Sequence, residues 1–188
     1  MKRIVIFASG SGTNAENLIK FFHNRDNVSV IHVLTNNPHA KVLDRCKKLD
    51  VSTSVFNKPD FTETPVVLNA LKKMSPDLIV LAGFLWKIPE NIIKEFSNKI
   101  INIHPSLLPK YGGKGMYGMH VHEAVVTNKE KETGITIHYV NEHYDECAII
   151  FQAKCDVLES DSAKDVAAKI HELEMEHFPE IVNSLLND

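Results

Sequence analysis

The chain has 188 residues, 44% hydrophobic and 24% charged, which suits one well-buried core and a single domain spanning 1–188. A formal charge of −3 provides no broad basic field, which argues against a nucleic-acid partner and leaves room only for a local phosphate pocket. Cys46, Cys147 and Cys155 are odd in number and lack Cys-x-x-Cys spacing, so they read as reduced thiols rather than a disulfide framework or zinc cluster.

In chain order, Lys2-Arg3 leads at once into the apolar run 4–8, too short for a membrane span or a cleaved leader. A cytoplasmic protein with no membrane partner is expected. The run predicts a first strand ended by a glycine loop, and residues 15–23 then carry Leu18, Ile19 and Phe22 at helical spacing. Residues 28–35 predict a second strand, and 38–48 a helix with Val42, Leu43 and Cys46 on one side. A short strand near 52–56 precedes a helix from about 63 to 74. The run 78–82 is apolar throughout, as in a parallel strand buried on both faces. There follow a helix near 90–96, a strand carrying Asn102 and His104, a glycine-rich loop at 112–118 and a helix at 120–127. Strands at 134–140 and 148–157 and a long helix at 163–186 end the chain. This alternation predicts an α/β fold with a doubly wound, mostly parallel sheet, and the hairpin-like pair after residue 133 adds antiparallel strands near the C-terminal end. Ligands in such sheets bind beyond the carboxyl ends of the strands.

Two loops lie at such ends. Gly10-Ser11-Gly12-Thr13-Asn14 follows a strand and opens a helix, where free backbone N–H groups and the helix dipole favour a phosphate. It lacks the third glycine of the dinucleotide fingerprint and the Gly-Lys-Ser/Thr of a P-loop, so it supports neither NAD nor ATP. A plain strand-to-helix turn reads as well. Leu81-Ala82-Gly83-Phe84-Leu85-Trp86-Lys87-Ile88-Pro89 leaves a buried strand through an aromatic turn that is either a cap on the core or a ligand wall. His120-Val-His122 has alternating spacing, but no nearby carboxylate or Cys completes a metal set, and no metal is expected.

The richest stretch is Asn102-Ile-His104-Pro-Ser-Leu-Leu-Pro109. On a strand, Asn102 and His104 project to one side, where Pro105 and Pro109 stiffen the exit. An Asn amide can donate to a carbonyl oxygen gaining negative charge, and a His beside it can move a proton near neutral pH. The pair suits acyl or formyl transfer. The plainer alternative is that both residues tie down the proline-rich turn.

The longer string Asn102-x-His104-Pro-Ser-Leu-Leu-Pro109-Lys110-Tyr-x-Gly113, with Tyr144-Asp145 and Ile149-Ile150-Phe151-Gln152, resembles the folate-dependent formyltransferases. Within them it is most similar to the phosphoribosylglycinamide (glycinamide ribonucleotide, GAR) formyltransferases, over nearly the whole chain. The resemblance implies a Rossmann-like formyltransferase fold. It also implies transfer of the formyl group of 10-formyltetrahydrofolate, a co-substrate, to the amine of GAR in de novo purine (IMP) biosynthesis. By the same resemblance Asn102 stabilises the oxyanion and meets the folate, His104 relays a proton, and Asp145 favours the His104 imidazolium. Gly12, Thr13 and Asn14 match the contacts to the GAR phosphate and Glu174 the contact to the ribose hydroxyls, with His171 beside them and Glu176 as a competing candidate. Leu85, Trp86, Lys87 and Ile88 carry over as folate contacts, with Lys58 or Lys110 facing the glutamate tail. Trp86 stands where the family has a positive charge, Glu146-Cys147-Ala148 where it has glycines and a proline, and the 112–118 loop is longer than usual. Cys147 as a nucleophile is unnecessary for formyl transfer, and His138 is expected near the reacting centre. The expected partners are the two small-molecule substrates, without nucleic acid, and a homodimer is left open. A sugar-nucleotide N-formyltransferase and a non-catalytic nucleotide-binding module are the alternatives.

Overall fold

The computed structural model describes residues 1–113, 115–141 and 148–187. In chain order the elements are β1 (Lys2–Phe7), α1 (Thr13–Phe22), β2 (Val28–Thr35), α2 (Val42–Lys48), β3 (Thr53–Val55), α3 (Lys58–Thr62) and α4 (Val66–Met74). They continue with β4 (Leu78–Leu81), α5 (Glu90–Glu95), β5 (Ile100–His104), α6 (Met119–Thr127), β6 (Glu132–Tyr139), β7 (Ile149–Asp156) and α7 (Ala163–Asn187). The strands form one sheet in the order β3-β2-β1-β4-β5-β6-β7. Pairing is parallel from β3 across to β5, and β6 and β7 add antiparallel. The doubly wound sheet with antiparallel strands near the C-terminal end is therefore as expected.

Strand period explains why the central strands read as unbroken apolar runs. β1 sends Ile4 and Ile6 into one core and Val5 and Phe7 into the other, and β4 divides Leu78 and Val80 from Ile79 and Leu81 in the same way. On the first face Leu18 of α1, Val42 of α2 and Phe178 of α7 cover the sheet; on the second, Phe61 of α3, Leu71 of α4 and Ile92 of α5. The chain lays β2 and β3 to one side of β1 and then crosses to place β4 on the other. The loops after β1 and β4 therefore diverge, and that switch point is where a parallel sheet opens a ligand crevice.

Two boundaries depart from the sequence expectations. The helix expected over 63–74 starts at Val66, after Pro65, and is preceded by α3, where the Asn57 side chain accepts from the Asp60 N–H at 2.8 Å and Pro59 sits in the first turn. The signal for α3 is a cap and a proline rather than an apolar stripe. α2 begins at Val42 instead of 38.

α7 runs through Pro179. A proline there has no N–H for the carbonyl of Met175 four residues back. The Asn17 side-chain amide of α1 donates to that oxygen at 2.9 Å. The orphaned acceptor is thus satisfied from the neighbouring helix, and α1 is fastened to the turn of α7 that carries Glu174.

Candidate functional site

Beyond the carboxyl ends of β1, β4 and β5 lies a cavity of about 580 Å³. Its floor and walls come from the 9–14 loop and start of α1, the 82–87 loop after β4, the end of β5, residues 113 and 115–118, α6 and α7. Gly12, Thr13, Asn14, Leu85, Trp86, Lys87, Asn102, His104, His171 and Glu174 all line it. Ile88 does not: it is buried in the second core, packed with Ile92 and Ile93. Glu176 does not line it either. Asp145, Glu146 and Cys147 lie outside the described residues.

Register places the reacting pair. Asn102 stands opposite His138 and His104 opposite Thr136 across the antiparallel β5–β6 ladder, so all four share one face. The Asn102 amide donates to His138 Nε2 at 3.1 Å, which leaves His138 Nδ1 to carry the proton and donate to the Tyr139 carbonyl at 3.0 Å. His138 is thereby held as one tautomer, and Asn102 keeps a second N–H. His104 is 6% exposed, and its Nε2 donates to the Tyr111 carbonyl at 2.7 Å. Nδ1 remains for proton chemistry.

The proline-rich turn is held chiefly by other residues. Thr136 Oγ1 donates to the Ser106 carbonyl and accepts from the Leu108 N–H and the Gln152 amide, while Ser106 Oγ donates to the Lys110 carbonyl. Tyr111 is itself fixed by its hydroxyl, which donates to Glu130 and accepts from Asn128. Among the described residues Asn102 bonds to His138 rather than to the turn, and His104 contributes one bond to it.

The opposite end of the cavity combines loop and helix. Gly12 adopts φ +72 and precedes α1, aiming the first N–H groups of the helix into the cavity. The Asn14 amide donates to Glu174 Oε2 at 2.9 Å, and His171 Nδ1 lies 3.7 Å from the same oxygen. Burial raises the Glu174 carboxyl above the usual range, opposed by the bond from Asn14 and the nearby His171. Buried carboxylates of this kind are kept where a ligand uses them.

The third wall joins Trp86 to an aromatic group of Phe7, Phe56, Phe61 and Phe84, and Phe84 both packs on the core and lines the cavity. Lys58 Nζ lies 4.5 Å from the Trp86 ring centroid, so a cation stands beside position 86 although not on it. Lys110, by contrast, is paired with Glu130 and lines a separate cavity of about 240 Å³. Ser9 opens the glycine loop after β1, and its role as a tie between loops was not expected. Its hydroxyl donates to Asn36 Oδ1 at 2.7 Å and accepts from the Leu85 N–H at 3.0 Å, tying the loop after β1 to the loop after β4. Cys46 is buried, which pushes its thiol up to about 11 and leaves it unreactive. Among the described residues no group of three or more His, Cys, Asp or Glu side chains is placed to hold a metal ion, and no helix is long and apolar enough to cross a membrane.

Known proteins share this architecture over the whole chain. A phosphoribosylglycinamide formyltransferase of Haemophilus influenzae is 34% identical, over 97% of this chain and 86% of its own length. A chloroplastic phosphoribosylglycinamide formyltransferase of Vigna unguiculata is 33% identical over the entire chain, which spans 62% of that longer protein. The crystal structure of the phosphoribosylglycinamide formyltransferase of Anaplasma phagocytophilum superposes with a TM-score of 0.91 at 32% identity, covering 100% of this chain and 87% of that one. Residues 2–182 match the formyl transferase family, and the chain belongs to it.

Proposed function

We propose that the cavity binds GAR and 10-formyltetrahydrofolate together and transfers the formyl group between them, as a step of purine biosynthesis. The observation that carries the reading is that Asn102 and His104 line the same cavity as a phosphate-type helix start and an aromatic wall. The ribose phosphate of GAR occupies the end built by Gly12, Thr13, Asn14 and Glu174. The folate lies along Leu85, Trp86 and Lys87, with Lys58 facing its glutamate tail. Lys110 is assigned no part, because Glu130 already holds it.

The neutral amine of GAR attacks the formyl carbon, forming the new C–N bond while the carbonyl oxygen gains charge. The free N–H of Asn102 donates to that oxygen, aimed by the bond of the same amide to His138. Collapse breaks the bond between the formyl carbon and N10. His104 relays the proton lost by the amine to N10, with Nδ1 as the nitrogen left for it by the Nε2 bond. Asp145, from the sequence, belongs to this step as the carboxylate that favours the imidazolium. Holding both substrates in one cavity supplies much of the acceleration. The chain works as one domain and in the cytoplasm under the same proposal.

The test is to mix the protein with GAR and 10-formyltetrahydrofolate and follow tetrahydrofolate. Release that requires GAR supports the reading. Equal release without GAR would identify a hydrolase, and folded protein with no turnover would favour a binding module.

A further inference from the structure

His122 belongs to the cavity wall and has no part in the reaction above. It projects from α6, is 6% exposed, and its Nδ1 is buried with no hydrogen-bond partner among the described residues. A neutral imidazole carries one N–H and one lone pair, and a buried polar atom left unpaired costs stability. An orphaned lone pair costs less than an orphaned N–H, so the proton belongs on Nε2, the nitrogen left to the cavity. Burial also lowers the pKa of the ring, which keeps it neutral near pH 7. A second orphan lies in the same wall: Asn14 Oδ1 is buried without a partner while its amide nitrogen is engaged by Glu174. α6 packs against α7, the helix that brings Ile170, His171 and Glu174 to the same cavity.

We propose that His122 is a substrate-binding residue for the sugar-phosphate end of the acceptor, its Nε2–H donating to an oxygen there. This rests on the assignment of GAR to that end of the cavity. A ribose phosphate has the acceptor oxygens that the Nε2–H of a neutral His122 calls for.

His122→Phe keeps a ring of similar size and removes both nitrogens, and His122→Gln keeps an N–H near the place of Nε2. The phenylalanine variant is expected to raise the KM for GAR roughly tenfold or more, the loss expected for a hydrogen bond to a charged group, with the KM for 10-formyltetrahydrofolate within about twofold. Binding of ribose 5-phosphate, followed by calorimetry, weakens in step. The melting temperature does not fall, because the orphaned nitrogen is gone, and the glutamine variant recovers most of the affinity. An unchanged KM for GAR in the phenylalanine variant, a glutamine variant no better than it, or a rise in the folate KM instead would overturn the inference. If the phenylalanine variant does not fold, the histidine ¹⁵N signals of the wild type decide: ribose 5-phosphate must shift His122 Nε2, and the absence of a shift overturns the proposal. A wild type with no GAR-dependent turnover would instead remove the underlying assignment.

Discussion

Gly12→Ala tests the phosphate loop through its backbone, and the structure sets the size of the effect. Gly12 holds φ +72, and a Cβ built there would lie 2.4 Å from Val42 Cγ2, 2.5 Å from Val42 Cβ and 2.8 Å from Val42 Cα. The left-handed conformation costs an alanine about 1–2 kcal/mol. Overpacking adds about 1–3 kcal/mol. Their sum, roughly 2–5 kcal/mol, is a large share of the roughly 5–15 kcal/mol that holds a domain together. In a chain of this length it lowers the melting temperature by roughly 5–15 °C.

Two controls separate the terms. Gly83 has φ +71 but nothing within 4 Å of its Cβ position, so Gly83→Ala reports the conformational cost alone, about 1–2 kcal/mol. Gly10 also meets nothing within 4 Å, and Gly10→Ala is expected within about 0.5 kcal/mol of wild type. Val42→Ala in the Gly12→Ala background removes the Cγ2 clash but not the backbone one, so rescue is partial. Because the loop is bound to α2 by Val42 N–H to the Gly10 carbonyl and Arg45 Nε to the Ser11 carbonyl, it cannot move alone. The KM for GAR rises with it. Denaturant melts of the four proteins, with steady-state kinetics, are the assay. A Gly12→Ala protein as stable as Gly10→Ala would refute the packing argument.

Asn102→Ala is expected to lower kcat about 10²-fold, as when one oxyanion donor is lost, and His138→Phe to lower it less while leaving both KM values near wild type. Steady-state kinetics with each substrate varied will check both, and a His138→Phe enzyme with unchanged kcat would deny His138 its positioning role. Glu174→Gln carries a pH signature. The folded protein raises this carboxyl, so ionised Glu174 is a stability cost that is complete above its folded-state pKa and is relieved as pH falls through that value. The variant should therefore melt higher than wild type at pH 8, with a gain that shrinks toward pH 5; a constant difference would contradict burial as the cause. Trp86→Ala and Lys58→Ala are expected to raise the KM for the folate and spare that for GAR, and Asn14→Ala to do the reverse.

What was legible in the sequence is what depends on local period and strand ends. Asn102 and His104 were readable because a strand alternates its side chains and β5 stops at His104, and the 9–14 loop because it joins a strand to a helix. Contacts between segments distant in sequence were not readable. Ser9 reaches Leu85 across 76 residues, Asn17 reaches Met175 across 158, and nothing near either residue announces its partner. Ile88 was expected beside the folate because it neighbours Leu85, Trp86 and Lys87, but the chain turns inward there and the second core takes it. His122 drew notice for metal spacing with His120. The helix instead separates them, leaving His120 near Glu123 at the surface and His122 inside.

The distribution of polar satisfaction across the fold argues for where the ligand goes. Buried Thr136 is completely engaged, and the Ser106 hydroxyl has an acceptor for its proton, although they hold only a turn. Asn14 Oδ1 and His122 Nδ1, the two buried side-chain polar atoms without a partner among the described residues, both belong to residues lining one cavity, together with Glu174, whose carboxyl burial raises. Chance would scatter such costs, and a core selected for stability alone would replace them with apolar groups of the same shape. Their convergence between α1, α6 and α7 marks the end of the cavity where the folded chain leaves polar groups unmatched, the end that the proposal gives to a hydroxylated, phosphorylated substrate.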